Sequence, residues 1–464
     1  MSRIQLLGAA SAAALACFSS AHAASSVQGG GSTLAQYAYI DEFSIYNSSA
    51  SGATFGSYWE AGSGSGQTAF LNDDLTCDIN KVTGNNGGAC AGTAPGTTNY
   101  VDYGASDATL SSSQIAAWST GTYGQSVSGN LIQLPSMGVG ISFPVINTAI
   151  KKNGDVSLSD HDECEIFSGG YTDFSQITDS VNLKGGAANF AAGTISVIYR
   201  GDSSGTSFLL TQHLADVCTA ADTAPGFVFT ATTTFASLFN PNNGGGSFTK
   251  NSAGLYVVTS GLYNGVNDGP KGSGGIATQM EDTASIQQIS YLSPDFTTVD
   301  PKSDALVNGA KSTLVVASAL QGSKPELPTV PNITLGLAHP VDGTNLNPPS
   351  TASQGANPAL WVPAVAKTSA GYPVVGYTTY DFAQCYADPT IAAAIISYFG
   401  THISKSGAFA ATLKNNGFVE ISNSKAANFL QAIEKHILSN YKSKTSPAWN
   451  IDINDTTTCK GLGR

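Results

Sequence analysis

Charge is scarce in this chain: only 11% of its 464 residues are Asp, Glu, Lys or Arg, and the 20 basic residues are outnumbered by 32 acids. A net charge of −12 with no basic stripe and no aromatic–basic interleaving excludes nucleic acid as a partner. Histidine is equally thin, at six residues, and no His-x-x-x-His or Cys-x-x-Cys spacing occurs. The usual metal-ligand patterns are therefore missing, and neither a metal nor a cofactor is expected. Beyond the first two dozen residues there is no apolar run of about 18, which argues against a membrane-spanning helix. What is present in quantity is glycine, 51 residues, within a chain that is 41% hydrophobic. That balance belongs to neither a disordered nor a fibrous protein, and the length suits two lobes.

The N-terminus reads as an export signal: Arg3, an apolar run from Leu6 to Phe18, then Ala21-His22-Ala23, with cleavage expected after Ala23. Cys17 is an alternative point of lipid attachment, but Ala14 stands three residues before it where such sites favour Leu. Loss of residues 1–23 removes Arg3 and no acid, leaving 19 bases against 32 acids, a net charge of −13. Six cysteines then remain, an even number in an exported chain, and six allow fifteen pairings. Proximity suggests Cys77–Cys90, Cys164–Cys218 and Cys385–Cys459.

One motif recurs along the chain. Ile195–Tyr199 reads as a short buried strand, Phe208, Leu209, Leu210 and Leu214 as the apolar stripe of a helix, and between them lies Arg-Gly-Asp-Ser-Ser-Gly-Thr-Ser. A strand that turns through Gly, Ser and Thr into a helix aims unpaired N–H groups and the positive helix end at one point, which is where an anion binds. Similar turns follow Val27, Glu60 and Tyr103: Gly29-Gly30-Gly31-Ser32-Thr33-Leu34, Gly62-Ser63-Gly64-Ser65-Gly66, and Gly104-Ala105-Ser106-Asp107. Singly each is ordinary punctuation between strand and helix. Together they predict one cleft lined by four loops. Alternating strands and helices throughout predict α/β lobes with largely parallel sheets.

Residues 72–100 read as a stapled surface excursion, and residues 324–364, with eight prolines, as a long one. Apolar, nearly uncharged strands at 131–145 and 285–292 suit passages between lobes. A rival reading arises at Gly201-Asp202-Ser203-Ser204-Gly205, which fits the Gly-x-Ser-x-Gly of a serine hydrolase, with four histidines downstream. Asp202 beside the nucleophile would oppose both an alkoxide and an oxyanion, and no His-Gly-Gly segment occurs. A non-enzymatic binding protein is the expectation.

The words Gly-Gly-Gly-Ser-Thr at 29–33, Asp-Tyr-Gly-Ala-Ser-Asp at 102–107 and Arg-Gly-Asp-Ser-Ser-Gly-Thr-Ser at 200–207 make the chain resemble the exported phosphate-binding proteins of phosphate ABC transporters, including the DING proteins. The resemblance runs from about Val27 to Leu438. It implies a type II periplasmic binding protein fold: two α/β lobes, mixed and mainly parallel sheets flanked by helices, and a two-strand hinge. On that plan residues 24–137 form the first lobe, 138–290 the second, and 291–464 return to the first. Carried over to this sequence, phosphate meets Thr33 and Leu34, Ser63, Asp107, Arg200, Ser204, Gly205 and Thr206, while Asp202 holds Arg200. Either Ser63 or Ser65 faces the ligand from the second loop. The implied partners are inorganic phosphate and an ABC permease, and the implied state is a periplasmic or secreted monomer. A released scavenger without a transporter is the alternative that the additional segments suit.

Overall fold

A computed structural model describes residues 25–83, 100–240, 243, 248–250, 256–258, 263–266, 272–299, 306–307, 310–404, 407–421, 427–438, 451–453 and 459–464. The signal segment, Cys90 and most of the first excursion lie outside these residues. Among them, no helix is long and apolar enough to cross a membrane.

The chain begins with β1 (Ser26–Gly31), α1 (Gln36–Ser49), β2 (Thr54–Trp59), α2 (Ser63–Asn72), β3 (Tyr103–Ser106) and β4 (Leu131–Gly140). It continues through β5 (Phe143–Ile146), β6 (Ser157–Leu158), α3 (Asp160–Ser168), β7 (Ser196–Arg200), α4 (Gly205–Val217), β8 (Tyr263–Val266) and α5 (Gly272–Asp282). Then follow β9 (Gln288–Ile289), β10 (Val316–Gln321), β11 (Lys324–Glu326), α6 (Val330–Ala338), β12 (Val375–Ala383), α7 (Pro389–His402) and β13 (Val419–Glu420). Two sheets result. The first has the order β2-β1-β3-β12-β4-β13, and the second β8-β7-β9-β5-β10-β11 with β6 beside β10. This is the two-lobed α/β architecture. Around β1 and β7, the strands that feed the ligand loops, pairing is parallel. The pairs made by β12, β5 and β10 with their main partners are antiparallel. The sheets are therefore mixed: β12 and β13 in the first and β5 and β11 in the second run against the ligand strands.

The first crossing lies between β4 in one sheet and β5 in the other, at Ile141 and Ser142, so Gly138–Gly140 still belong to the first sheet. The second does not fall where the sequence predicts it. Gln288–Ile289, expected to pass between lobes, is instead β9 and pairs with β7 and β5 inside the second sheet. β10 also belongs there, against β5, so the second sheet takes strands as far as residue 326 rather than ending at 290. The return lies at Tyr372–Val374: the Ile141 N–H donates to the Val374 carbonyl at 2.9 Å, and the Tyr372 hydroxyl to the Ile141 carbonyl at 2.5 Å. Short, apolar, fully buried strands carry no mark of which sheet accepts them, and partner choice decides.

The proline-rich segment is not a detached excursion. Its prolines start helices, at Val330-Pro331 and Pro358, and α6 lays Ile333 and Leu337, both fully buried, along the crossing. Gly138 and Gly140 make room for those side chains, since a Cβ would stand 2.3 Å from Leu337 Cδ1 and 2.9 Å from Ile333 Cγ1. A hairpin, Pro340–Thr344 with Ala364–Thr368, then packs on α4, where Gln212 donates to the Val365 carbonyl. Burying the two aliphatic side chains contributes on the order of 2 kcal/mol each.

Two expected disulfides are formed, Cys164–Cys218, which ties α3 to the end of α4, and Cys385–Cys459. Cys77 is disulfide-bonded as well, and its expected partner Cys90 lies outside the described residues.

Asp381, on β12, is fully buried with neither carboxyl oxygen hydrogen-bonded, and burial pushes its pKa well above the usual range. A carboxyl with a raised folded-state pKa favours folding fully only below its unfolded pKa, about 3.9, and that contribution fades as pH rises toward the folded value. Asp381→Asn takes up no proton on folding. In urea denaturation its stability relative to wild type is expected to improve by up to about 1.4 kcal/mol per pH unit between pH 4 and pH 8. A pH-independent difference would rule out a protonated Asp381.

Candidate functional site

Three loops of the first sheet converge. After β1, Ser32 donates to Asp107 Oδ1 at 2.5 Å, and its Oγ accepts the Leu34 and Ala35 N–H groups at 3.1 and 3.3 Å. Ser63, the first residue of α2, donates to Asp107 Oδ2 at 3.2 Å and accepts the Asp107 N–H at 3.1 Å. Ser63, rather than Ser65, is thus the residue of that loop that faces Asp107. The sequence reads as a Gly/Ser turn through Gly66, yet α2 already starts at Ser63. Gly66 lies within it because a Cβ would meet the Gly31 Cα at 2.4 Å, a close approach that overrides the poor helix propensity of glycine.

Asp107 is 2% exposed. Burial pushes its carboxyl up to about 6, against the opposing pull of the Ser32 hydroxyl, the Arg200 charge and the Ser63 hydroxyl.

The second sheet supplies the opposite wall. Arg200, at the end of β7 and also 2% exposed, makes a two-pronged bond to Asp202, Nε to Oδ1 at 2.7 Å and Nη2 to Oδ2 at 2.6 Å. Burial opposes its charge, but Asp202 more than compensates and holds the guanidinium above its ordinary pKa. Nη1 reaches the Thr206 hydroxyl at 3.5 Å. Behind it, Tyr291 accepts the Arg200 N–H at 3.1 Å and bonds the Ser207 hydroxyl at 2.8 Å. Ser204 is the N-cap of α4, its Oγ accepting the Ser207 N–H at 3.2 Å. Capping uses a lone pair and leaves the Ser204 proton to donate elsewhere.

The two walls touch, and glycine stands on one side of three of the contacts. The Gly64 N–H donates to the Ser203 carbonyl at 3.2 Å. A Cβ on Gly205 would lie 2.5 Å from the Asp107 Cβ and 2.6 Å from Ser63 Oγ; one on Gly62, where φ is +95°, would lie 2.9 Å from Asp202 Oδ2. The start of α5 closes on Thr33, whose Oγ1 accepts the Ser273 N–H at 3.1 Å. Thr33, Ser63, Asp107, Arg200, Asp202, Ser204, Gly205 and Thr206 thus lie where the two walls meet, whereas the Leu34 N–H, expected to meet phosphate, is taken up by Ser32 Oγ and the Leu34 side chain is in the core. Ser32, Tyr291 and Ser273 were not predicted. The hydroxyl pair Ser32-Thr33 was the available signal for the first; the other two come from distant elements with no motif.

The hydrolase constellation does not form at Ser203, whose hydroxyl donates to Thr233 at 2.9 Å. A Ser–His–Glu row does occur elsewhere: His402 bonds Ser136 Oγ and Glu42 Oε2, each at 2.8 Å, but all three residues are at most 2% exposed in the first lobe's core. His213 bonds the Ala366 carbonyl at 2.9 Å through Nδ1. Among the described residues no group of three or more His, Cys, Asp or Glu could hold a metal ion.

Residues 18–336 match the model of the PBP superfamily domain, more than half the chain. The chain belongs to the PBP superfamily. Within that superfamily it is 30% identical over 454 residues to a protein named Phosphate-binding protein from an unknown prokaryotic organism, covering 94% of this chain and 99% of the relative. It is 28% identical over 471 residues to Alkaline phosphatase L of Pseudomonas aeruginosa, covering 98% of both. Among solved structures, a high-affinity periplasmic phosphate-binding protein, PfluDING, bound with phosphate, superposes with a TM-score of 0.65 at 27% identity, covering 95% of this chain and 99% of that one. The similarity to phosphate-binding proteins, DING members included, that the three sequence words carry thus extends over nearly the whole chain.

Proposed function

We propose that this PBP-superfamily protein binds inorganic phosphate between its two sheets, outside the cytoplasm and as a monomer, for delivery to an ABC permease. Asp107 carries this reading: a buried acceptor sits among donors, namely Arg200, the hydroxyls of Thr33, Ser63, Ser204 and Thr206, and the N–H groups at the start of α4. A carboxylate facing an anion is tolerable only if the anion brings a proton. Phosphate at neutral pH does so and sulfate does not, so Asp107 favours the first and rejects the second. Asp107 and Arg200 are both 2% exposed, which shields a small anion held between them from solvent. Local donors hold the ligand against a chain that is acidic overall.

Isothermal titration with phosphate, sulfate and arsenate tests the reading. Phosphate is expected to bind and sulfate not; absence of phosphate binding would refute it. Incubation with p-nitrophenyl phosphate should release no product, and turnover there would favour a phosphatase. Asp107→Asn, which turns an acceptor into a potential donor of similar shape, is expected to raise sulfate affinity by about tenfold or more. Unchanged rejection of sulfate by this variant would take selectivity away from Asp107.

A further inference from the structure

Every residue assigned to phosphate above lies at or just after the ends of β1, β2, β3 and β7, but Thr33 also has a partner outside those segments. The Ser273 N–H, at the start of α5 in the second sheet, donates to Thr33 Oγ1 in the first at 3.1 Å. We propose that Ser273 is a positioning residue for the ligand site, and that Gly272–Ser273 is the latch that couples anion capture at Thr33 to closure of the cleft. The proposal rests on the phosphate reading.

A threonine hydroxyl has one proton and two lone pairs. With Ser273 donating into one lone pair, that proton is directed away from the Ser273 amide and is available to a ligand oxygen. Thr33 thereby becomes a donor toward the cleft. It also caps α5 from the other lobe, satisfying an N–H of the first turn that the helix itself leaves unpaired. Opening the cleft would break that bond, so the amide would lose its acceptor and the hydroxyl its orientation in the same movement. Donor alignment and closure are then one event.

Two further observations fit a contact under constraint. Gly272 has φ of +85° and sits so close that a Cβ would stand 2.5 Å from Thr33 Cγ2 and 2.8 Å from both Cβ and Oγ1. All three of those atoms belong to the Thr33 side chain, so the fit is specific to that residue. Ser273 itself is fully buried, and its Oγ has no hydrogen-bond partner. A small polar side chain has been kept dry beside Thr33 with its donor unspent, which is costly unless something accepts from it.

Release of radiolabelled phosphate into excess unlabelled phosphate tests the latch. Gly272→Ala is expected to speed release by roughly tenfold or more while slowing association by less than about threefold, because the latch acts after capture. Ser273→Ala keeps the N–H and loses only Oγ, and should speed release by about two- to fivefold. Adding Gly272→Ala to Thr33→Gly, which lacks the atoms the new methyl would meet, should speed release by clearly less than the same change does in wild type, the remainder being the backbone strain of Ala at a φ of +85°. Release within twofold of wild type in both single variants, or effects of Gly272→Ala and Thr33→Gly that simply multiply, would overturn the proposal. Hydrogen exchange reads the contact in saturating phosphate, where the cleft is closed: Thr33→Val should accelerate exchange of the Ser273 amide by about tenfold, as expected for a lost cap. No acceleration would overturn the latch even if phosphate binds as proposed. A wild-type protein that ignores phosphate but shows the acceleration would sink the phosphate reading alone.

Discussion

Arg200→Ala is expected to weaken phosphate binding by about 3–5 kcal/mol, more than a hundredfold in Kd, as for removal of one partner from a buried charge pair. Two losses combine. The guanidinium is the only full positive charge placed on the cleft by a described residue of the second sheet's β7 loop, and its removal also takes the Arg200 charge away from Asp202. Asp202 is 8% exposed at its side chain and would face an incoming anion without the Arg200 charge beside it. The double variant Arg200→Ala/Asp202→Asn separates the two: neutralising that acid should restore part of the loss, on the order of 1–2 kcal/mol. Calorimetry with phosphate checks both. Affinity within threefold of wild type for Arg200→Ala would remove Arg200 from the site, and a double variant no better than the single one would mean that Asp202 does nothing but hold Arg200.

Gly205→Ala is the second large effect, and it works through shape. The added methyl would meet the Asp107 Cβ at 2.5 Å and Cα at 2.7 Å, atoms fixed to a strand end that cannot rotate away. Closure must therefore stop short, which withdraws the α4 N–H groups and the Thr206 hydroxyl from the opposite wall. Overpacking costs about 1–3 kcal/mol, and each withdrawn donor adds about another 1 kcal/mol. A loss of at least a hundredfold in phosphate affinity is expected, with small-angle scattering showing a larger radius in saturating phosphate than for wild type. Wild-type affinity in this variant would mean that the lobes do not close through Gly205.

The parts of this site that could be read from the sequence are those where chemistry and local geometry coincide. At Ser204-Gly205-Thr206 a strand, a small-residue turn and an apolar helix follow one another, and the N-cap forms as that order predicts. The Arg200–Asp202 pair is legible for the same reason, since two residues apart at a strand end they reach each other. Ser63 and Ser65 are equivalent in sequence, and only the start of α2 decides between them. Ser273 was beyond reach because its partner is 240 positions away, and a Gly-Ser-Gly-Gly turn before a helix is common punctuation. The crossing was half legible. Residues 131–145 show it as uncharged strand, but Gln288–Ile289 has the same character and stays within its sheet, while the true return at Tyr372–Val374 reads as the start of an ordinary strand. Proline content misled at 324–364, where prolines at first helical turns begin ordered elements rather than interrupt them.

β12 lies in the middle of the first sheet, between β3 and β4, yet it is built from residues 375–383. Every strand of the second sheet comes from residues 143–326 and is complete before β12 exists as chain. The lobe that is started first must then be finished last. Until β12 arrives, β3 and β4 present open backbone edges, the kind that pair with whatever strand is nearest. A chain emerging end-first across a membrane would thus pass through a stage with one lobe closed and the other gaping. Its yield would depend less on final stability than on how long that gap stays unfilled.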